Sequence, residues 1–336
     1  MNSDVLNQLS SRNVPDELVR YINTGCKFII AGHKEPDGDC VGSQLALRSA
    51  LLRLGKEVIV CSAGPFERTE LKGYSEHFVS VITENDKSGA KLIIVDCCCK
   101  ERTGSLEKDL EGLPCAIIDH HDVSLPPSTP EFPVYIDSEA PSCTLLVEKV
   151  ITALGLKLTK EEAAFLLFGI CTDTGFFRHI TEKKHEVFEA AARIVRCGAS
   201  PKSIFKRMNG GKTLKSRILL GHILSRTESY FDGKLLLTWE TLEDIKKYGL
   251  KSRDSDNITR QLQAVEGVEL IVIIRQESDD ECTVSLRSSD KIDVAKIAAS
   301  FGGGGHKNAA GLTIKQDISS VKQILLNSLK DIFVSK

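Results

Sequence analysis

The chain has 336 residues, 41% hydrophobic and 27% charged, an ordinary globular composition at a length that suits two domains better than one. Its formal charge of -2 gives no basic excess for gripping long nucleic acid by its phosphates, so any nucleic-acid substrate is expected to be short and long duplexes are excluded. No apolar run approaches the roughly 20 residues that span a bilayer, which argues against a membrane partner.

The opening MNSDVLNQLSSRNV is polar and lacks the basic-then-apolar layout of a signal peptide. Eleven cysteines, an odd number, include adjacent Cys97, Cys98 and Cys99 and no C-x-x-C pair. Reduced thiols in a cytoplasmic protein are therefore expected, not a disulfide framework or a zinc ribbon.

Strand-like runs follow at KFIIAGH (27–33), EVIVCSA (57–63), KLIIVDC (91–97), CAIIDHH (115–121) and PVYID (133–137). Their near-continuous Val and Ile content suits strands buried on both faces of a parallel sheet. Helical patterns lie at 42–54, 142–154, 160–171 and 183–196. This alternation predicts an α/β fold, with a doubly wound, mainly parallel sheet over residues 1–196. The Gly-, Ser- and Lys-rich stretch 197–226 reads as a connector with some helix. Shorter strands at 234–240, 268–277 and 282–289 then predict a smaller α/β domain with a mixed sheet over 227–336, the active site lying in the cleft between the two.

Acidic and imidazole groups gather where these runs end. KFIIAGH opens into His33, Asp37 and Asp39; KLIIVD ends in Asp96; CAIIDHH ends in Asp119, His120 and His121; and the apolar helix before CTDTG runs into Asp173. Any single Asp at a strand end is more often a cap or turn residue than a ligand. Their joint occurrence at successive strand ends argues for one crevice. Asp37, Asp39, Asp96 and Asp173 would repel strongly there, and two divalent cations would offset them, with His33 and His120 adding nitrogen ligands. That donor mixture suits Mn²⁺ ahead of Ca²⁺ or structural zinc, with Mg²⁺ or Co²⁺ as alternatives. Two such ions would serve hydrolytic phosphoryl transfer by an activated hydroxide, one carboxylate, Asp96, bridging them.

HKEPDGDCVGS, Asp96 with Arg102 and Gly104 downstream, IDHH and GICTDTG together resemble the four motifs of the DHH phosphoesterases, over nearly the whole chain. The resemblance implies that His33 and Asp37 hold one metal and Asp39, His120 and Asp173 the other, with Asp96 between. His121 would contact the scissile phosphate, and Asp119 would orient an imidazole. SLRSS and FGGGGHKNAAG resemble the DHH-associated nucleotide-binding domain, the glycines allowing close backbone approach and an anion-binding nest. Strict alternation in CTVSLRSS puts Arg287 on the face opposite Val284 and Leu286. The resemblance implies that Arg287, Ser288, Gly303, Gly304, Gly305, His306 and Arg102 bind substrate.

This pairing resembles the bacterial nanoRNase and pAp-phosphatase group. It implies hydrolysis of short RNA oligonucleotides (nanoRNA, pApA) and pAp, or alternatively of the cyclic dinucleotide cyclic di-AMP, by a protein that can form a homodimer. An inorganic pyrophosphatase is disfavoured because its Ser-Arg-Lys-Lys-Gln stretch is absent, and a degenerate nucleotide-sensing module because none of the six ligands is missing. A long-strand exonuclease of the RecJ type would need further domains and a basic surface. Cys97 to Cys99 replace the usual Thr or Ser and Asp after Asp96, and read as buried small residues rather than reactive thiols. Ser124 stands where many relatives have Asn, and Arg178 reads as an exposed residue.

Overall fold

The Val- and Ile-rich runs form a five-stranded sheet that is parallel throughout, in the order β2-β1-β3-β4-β5. The computed structural model describes residues 13–121, 133–249, 253–289 and 291–334, and the chain divides into two units between Gly211 and Lys212. The first unit comprises α1 (Asp16–Thr24), β1 (Lys27–Ala31), α2 (Gly38–Arg53), β2 (Glu57–Cys61), α3 (Glu84–Lys87), β3 (Ala90–Val95), β4 (Cys115–Asp119), β5 (Val134–Ile136), α4 (Cys143–Ala153), α5 (Lys160–Asp173), α6 (Glu186–Arg196) and α7 (Pro201–Asn209).

Alternate residues of the central strands enter different cores, as doubly buried strands require. Phe28, Ile30, Ile93, Val95, Ala116 and Ile118 pack with helices α1, α2, α4 and α5 on one face. Ile29, Ala31, Leu92, Ile94 and Ile117 pack beneath Leu106, Leu110 and Leu113 on the other. The strand order reverses between β1 and β3, so the loops leaving these two strands part and open a crevice at their C-terminal ends.

Helix α2 starts at Gly38, four residues before the expected start, because Asp37 caps it: its Oδ1 accepts from the Asp39 and Cys40 amides at 3.0 and 3.1 Å. Asp39 is therefore a first-turn helical residue. Likewise α5 extends through Asp173, two residues beyond the expected end, so this carboxylate is delivered by a helix terminus and not a strand.

The second unit contains α8 (Leu214–Ser225), β6 (Glu228–Tyr230), β7 (Leu235–Glu240), α9 (Leu242–Tyr248), α10 (Ser255–Gln263), β8 (Leu270–Ser278), β9 (Glu281–Ser288), α11 (Val294–Ser300), β10 (Gly304–His306), β11 (Ala309–Ile314) and α12 (Ile318–Val334). Its six strands form a mixed sheet, β10-β11-β9-β8-β7-β6, with only β7 and β8 parallel. Val321, Leu325 and Leu329 of α12 cover one face; Leu219, Ile223, Ile258 and Leu262 of α8 and α10 cover Ile271 and Ile273 on the other. The stretch 197–226 is shared, α7 lying in the first unit and α8 in the second. Strands β6, β10 and β11 carry no strand signal in the sequence, since β10 reads Gly-Gly-His and glycine weakens strand propensity.

All eleven cysteines are free. Cys97 is buried, whereas Cys98 and Cys99 are partly exposed, so only the first of the three is a core residue. Burial pushes the Cys99 thiol up to about 12, which gives no sign of an activated thiolate. Among the described residues no helix is long and apolar enough to cross a membrane.

Helices α2 and α5 meet through glycine. A Cβ at Gly42 would lie 2.6 Å from the Phe165 carbonyl oxygen, and one at Gly169 would lie 2.3 Å from Thr144 Cγ2 and 2.6 Å from Asp39 Oδ1. Gly42→Ala is expected to lower stability by about 1–3 kcal/mol in urea denaturation, through overpacking. Gly221→Ala, at an exposed helical position with nothing within 4 Å of the added methyl, should instead raise it by up to about 1 kcal/mol. Equal effects of the two would contradict the close approach of α2 and α5.

Candidate metal centre

Four carboxylates and three imidazoles from five segments of the first unit converge at the C-terminal ends of β1, β3 and β4. The loop after β1 brings His33 and Asp37, and α2 brings Asp39. Asp96 follows β3 in a left-handed conformation (φ 60°), its amide donating to the Ile118 carbonyl at 3.0 Å. His120 and His121 follow β4, which ends at Asp119, and Asp173 closes α5.

The two inner imidazoles are aimed by carbonyl oxygens. His33 Nδ1 lies 2.8 Å from the Lys34 carbonyl and His120 Nδ1 lies 3.3 Å from that of Ala140. A carbonyl can only accept, so each Nδ1 carries the proton and a neutral ring presents its Nε2 lone pair to the carboxylates. His33 Nε2 is 3.5 Å from Asp96 Oδ2 and 3.9 Å from Asp37 Oδ1. His120 Nε2 is 3.1 Å from Asp173 Oδ2, 3.4 Å from Asp96 Oδ1 and 3.7 Å from Asp39 Oδ2. Lone pairs facing carboxylate oxygens repel unless a proton or a cation stands between them.

Protonation behaviour expresses the same conflict. Burial works against a charged His120, yet the neighbouring carboxylates of Asp173 and Asp96 push it up to about 11. His33 is likewise held well above the imidazole range, against its burial, by Asp37 and Asp96. Asp39 is raised by burial and then by the neighbouring charges of Asp96 and Asp173; Asp173 is raised by burial and then by Asp96 and Asp37, although His120 opposes the shift. Asp37 goes the other way: its burial is outweighed by His33 and the Cys40 amide, which hold it below the carboxylate range. Protons here do the work that cations would do.

Asp39 is clamped from outside the cluster. Its Oδ2 accepts from the Cys143 amide at 2.5 Å, and its Oδ1 from the Thr144 amide and hydroxyl at 2.9 and 2.6 Å. The positive N-terminus of α4 thus receives a carboxylate from α2, which fixes Asp39 without protonating it. Sequence reasoning missed these partners. Ser142 before CTLLV is a recognisable N-cap, but nothing local says which carboxylate lodges there.

Cations fit this donor set. Three groups each place one ligand atom per residue within 4.8 Å of the others: His33 with Cys40 and Asp96; Asp96 with His120 and His121; and Asp39 with His120 and Asp173. Asp96 belongs to two of them, is 2% exposed, and leaves its buried Oδ1 without a hydrogen-bond partner. A buried carboxylate that turns one oxygen to each of two Nε2 atoms, with Oδ1 unpaired, is an orphan that divalent ions satisfy. Cys40 is the member of this set that the sequence reading omitted; its only signal is adjacency to Asp39.

His121 packs against His120, their ring centroids 4.7 Å apart, but its Nδ1 is turned to a different carboxylate. Its Nδ1 donates to Asp119 Oδ1 at 2.8 Å, and that oxygen also accepts from the His120 and His121 amides at 2.8 and 3.3 Å. Asp119 is therefore held below the carboxylate range despite burial, chiefly through His121, and it steers that ring. Arg102 is exposed, and its carbonyl accepts from the Lys34 amide at 2.8 Å, tying its loop to the one that carries His33. Arg178 is exposed beside His179. Ser124 lies outside the described residues.

The remaining expected residues lie in the second unit. Along β9, burial alternates, with Cys282, Val284, Leu286 and Ser288 covered and Thr283, Ser285 and Arg287 on the open face. Ser288, expected beside Arg287 at the substrate, faces the opposite way and donates its hydroxyl to the Ile292 carbonyl at 2.6 Å, because strand neighbours point to opposite faces. The glycine run forms no nest at its start: the Gly302 and Gly303 amides donate to Ala299 and Ala298 carbonyls and close α11. Gly304, Gly305 and His306 are exposed on the edge strand β10, whose partner β11 sets Ala309 opposite Arg287.

Residues 27–170 match the model of the DHH family, N-terminal domain, and residues 236–335 that of the DHHA1 domain. A bifunctional oligoribonuclease and PAP phosphatase of Thermus thermophilus is 32% identical over 303 residues, covering 90% of this chain and 89% of that protein. A cyclic-di-AMP phosphodiesterase of Listeria monocytogenes is 24% identical over 339 residues, covering 96% of this chain and 50% of that protein. Among solved structures, an exopolyphosphatase-related protein from Bacteroides fragilis aligns with a TM-score of 0.81 at 24% identity, covering 94% of this chain and 95% of that one, a likeness of fold.

Because imidazoles and carboxylates that hold protons must release them to bind a cation, divalent-ion affinity is expected to rise with pH and to weaken as pH falls. Calorimetric titration with Mn²⁺ in buffers of different ionisation enthalpy should register proton release on binding, and Mn²⁺ should raise the melting temperature. Proton uptake, or affinity independent of pH, would contradict this electrostatic account.

Proposed function

The chain belongs to the DHH family of phosphoester hydrolases, and on that premise we propose that it cleaves very short oligoribonucleotides (nanoRNA, pApA) and pAp to mononucleotides, using two divalent cations, Mn²⁺ foremost. The observation that carries this reading is the buried carboxylate of Asp96, which sets Oδ2 3.5 Å from His33 Nε2 and its unpartnered Oδ1 3.4 Å from His120 Nε2. His33 and Asp37 would hold one ion, and Asp39, His120 and Asp173 the other, with Asp96 serving both. Such a pair supplies water activation and charge stabilisation at the attacking and leaving oxygens.

The chain's own residues supply the rest. His121, oriented through Nδ1 by Asp119, keeps Nε2 free, and in its doubly protonated form donates a hydrogen bond to a phosphate oxygen as charge develops there. Arg287, on the open face of β9 with no carboxylate within ion-pair distance among the described residues, takes a substrate phosphate or base edge remote from the scissile bond. Gly304, Gly305 and His306, exposed on β10, support it. Cyclic di-AMP is the alternative substrate, and a panel of nanoRNA, pAp, pApA and cyclic di-AMP at equal concentrations with Mn²⁺ ranks them.

Asp96→Asn should abolish turnover and weaken both ions. His121→Ala should keep both ions and lose most of kcat, since it acts on the phosphate rather than on the metals. Metal content and single-turnover rates check this, and loss of metal from the His121 variant as complete as from the Asp96 variant would reverse the role assigned to it.

Arg287→Ala should reduce kcat/KM on pApA and two- to five-nucleotide RNA by about ten- to a hundredfold, the size of a lost charge-assisted hydrogen bond. Hydrolysis of bis(p-nitrophenyl) phosphate, which has no remote phosphate to anchor, should change little. Equal losses on both substrates would give Arg287 a structural role, and undiminished cleavage of long RNA by the native chain would remove the short-substrate reading.

A further inference from the structure

The two halves of the cluster are chemically unequal. The group around Asp39, His120 and Asp173 offers only oxygen and nitrogen, whereas the group around His33 and Asp96 also contains the Cys40 sulfur, with all three ligand atoms within 4.8 Å of one another. Cys40 is fully buried in the first turn of α2, its amide bound to Asp37 Oδ1 at 3.1 Å, so its position follows from the same cap that places Asp37.

The surroundings of the sulfur are built for it. A Cβ at residue 32 would lie 2.2 Å from Cys40 Sγ, so glycine at that position is what gives the thiol its room beside His33. The thiol donates weakly to Gln44 Oε1 at 3.7 Å, and Gln44 is itself anchored through Nε2 to the Ile30 and Cys61 carbonyls at 3.0 Å each. The independent sign of a missing ligand is the Asp96 side chain, 2% exposed, which faces His33 Nε2 through Oδ2 at 3.5 Å while its buried Oδ1 has no hydrogen-bond partner. Thiolate is a soft donor that favours Zn²⁺ or Cd²⁺, while carboxylate and water favour Mn²⁺ and Mg²⁺.

We propose that Cys40 is a sulfur ligand of the His33–Asp96 cation subsite, so that this subsite captures a soft divalent ion, Cd²⁺ or Zn²⁺, that the Asp39–His120–Asp173 subsite does not prefer. The thiol proton passes to solvent as the sulfur–metal bond forms. This inference rests on the two-cation reading above and adds to it that the two ions differ in kind.

The test uses the full chain, reduced and stripped of metal, titrated with Cd²⁺ while sulfur-to-cadmium charge-transfer absorption is followed in the ultraviolet. The first equivalent should produce that absorption in the native chain and in Cys98→Ser/Cys99→Ser, and it should be lost in Cys40→Ser and Cys40→Ala. Cadmium NMR of the native chain with one equivalent needs no variant, and its shift should report a mixed sulfur, nitrogen and oxygen shell. Absorption unchanged in both Cys40 variants, or a shift typical of an all-oxygen and nitrogen shell, overturns the proposal. Mn²⁺ binding to the native chain, followed by electron paramagnetic resonance, is the separate check: its failure removes the two-cation reading, whereas Mn²⁺ binding without a Cys40-dependent cadmium signal removes only the sulfur ligand.

Discussion

Mutual repulsion among Asp37, Asp39, Asp96 and Asp173 is the constraint around which the first unit is organised. Four carboxylates cannot be left in one buried crevice without compensation, since each charge loses solvation as it gains like-charged neighbours. The fold answers with devices that fix position while leaving the charge to be neutralised. Asp37 is spent as an N-cap of α2, and Asp39 sits on the amides of α4. His33 and His120 are turned inward by carbonyl oxygens behind them. The carboxylates are thus held ready for cations rather than paired with lysine or arginine.

Holding them so is costly in backbone conformation. Asp96 sits at φ 60°, and just past Asp173 both Phe176 and Phe177 are left-handed, at 61° and 69°. Each such residue costs about 1–3 kcal/mol and persists only where its surroundings dictate it. The Ile118 carbonyl receives the Asp96 amide, and Thr174 Oγ1 receives the Phe177 amide at 2.9 Å while its own hydroxyl is donated to the Ile170 carbonyl. The strain therefore falls beside two of the site's carboxylates, at the ends of β3 and α5, where sheet and helix packing are firm enough to bear it.

The second unit solves a different problem with the same economy. Its sheet is covered on both faces over much of its width, yet β9 keeps Thr283, Ser285 and Arg287 on a face where β11 offers only Ala309, Gly311 and Thr313. Small residues opposite a guanidinium leave it room to meet a ligand. Edge glycines in β10 extend that low floor without side chains.

Much of this was legible in the chain itself, and for physical reasons. Continuous Val and Ile runs announce doubly buried strands, and carboxylates and imidazoles at the ends of such runs must meet wherever parallel strands lie side by side, so the fold class and the cluster of His33, Asp37, Asp39, Asp96, His120 and Asp173 follow from pattern. Alternation along β9 likewise separates Arg287 from its neighbours, and read strictly it would have turned Ser288 inward. What no local pattern carries is which distant group each side chain meets. The clamp on Asp39 joins residues 104 and 105 positions apart, the room for Cys40 depends on a glycine eight residues earlier, and the glycine amides near residue 302 go to a helix end instead of a ligand. These are consequences of packing in three dimensions, where helix termini, close glycine contacts and orphaned oxygens are created only when separate elements come together.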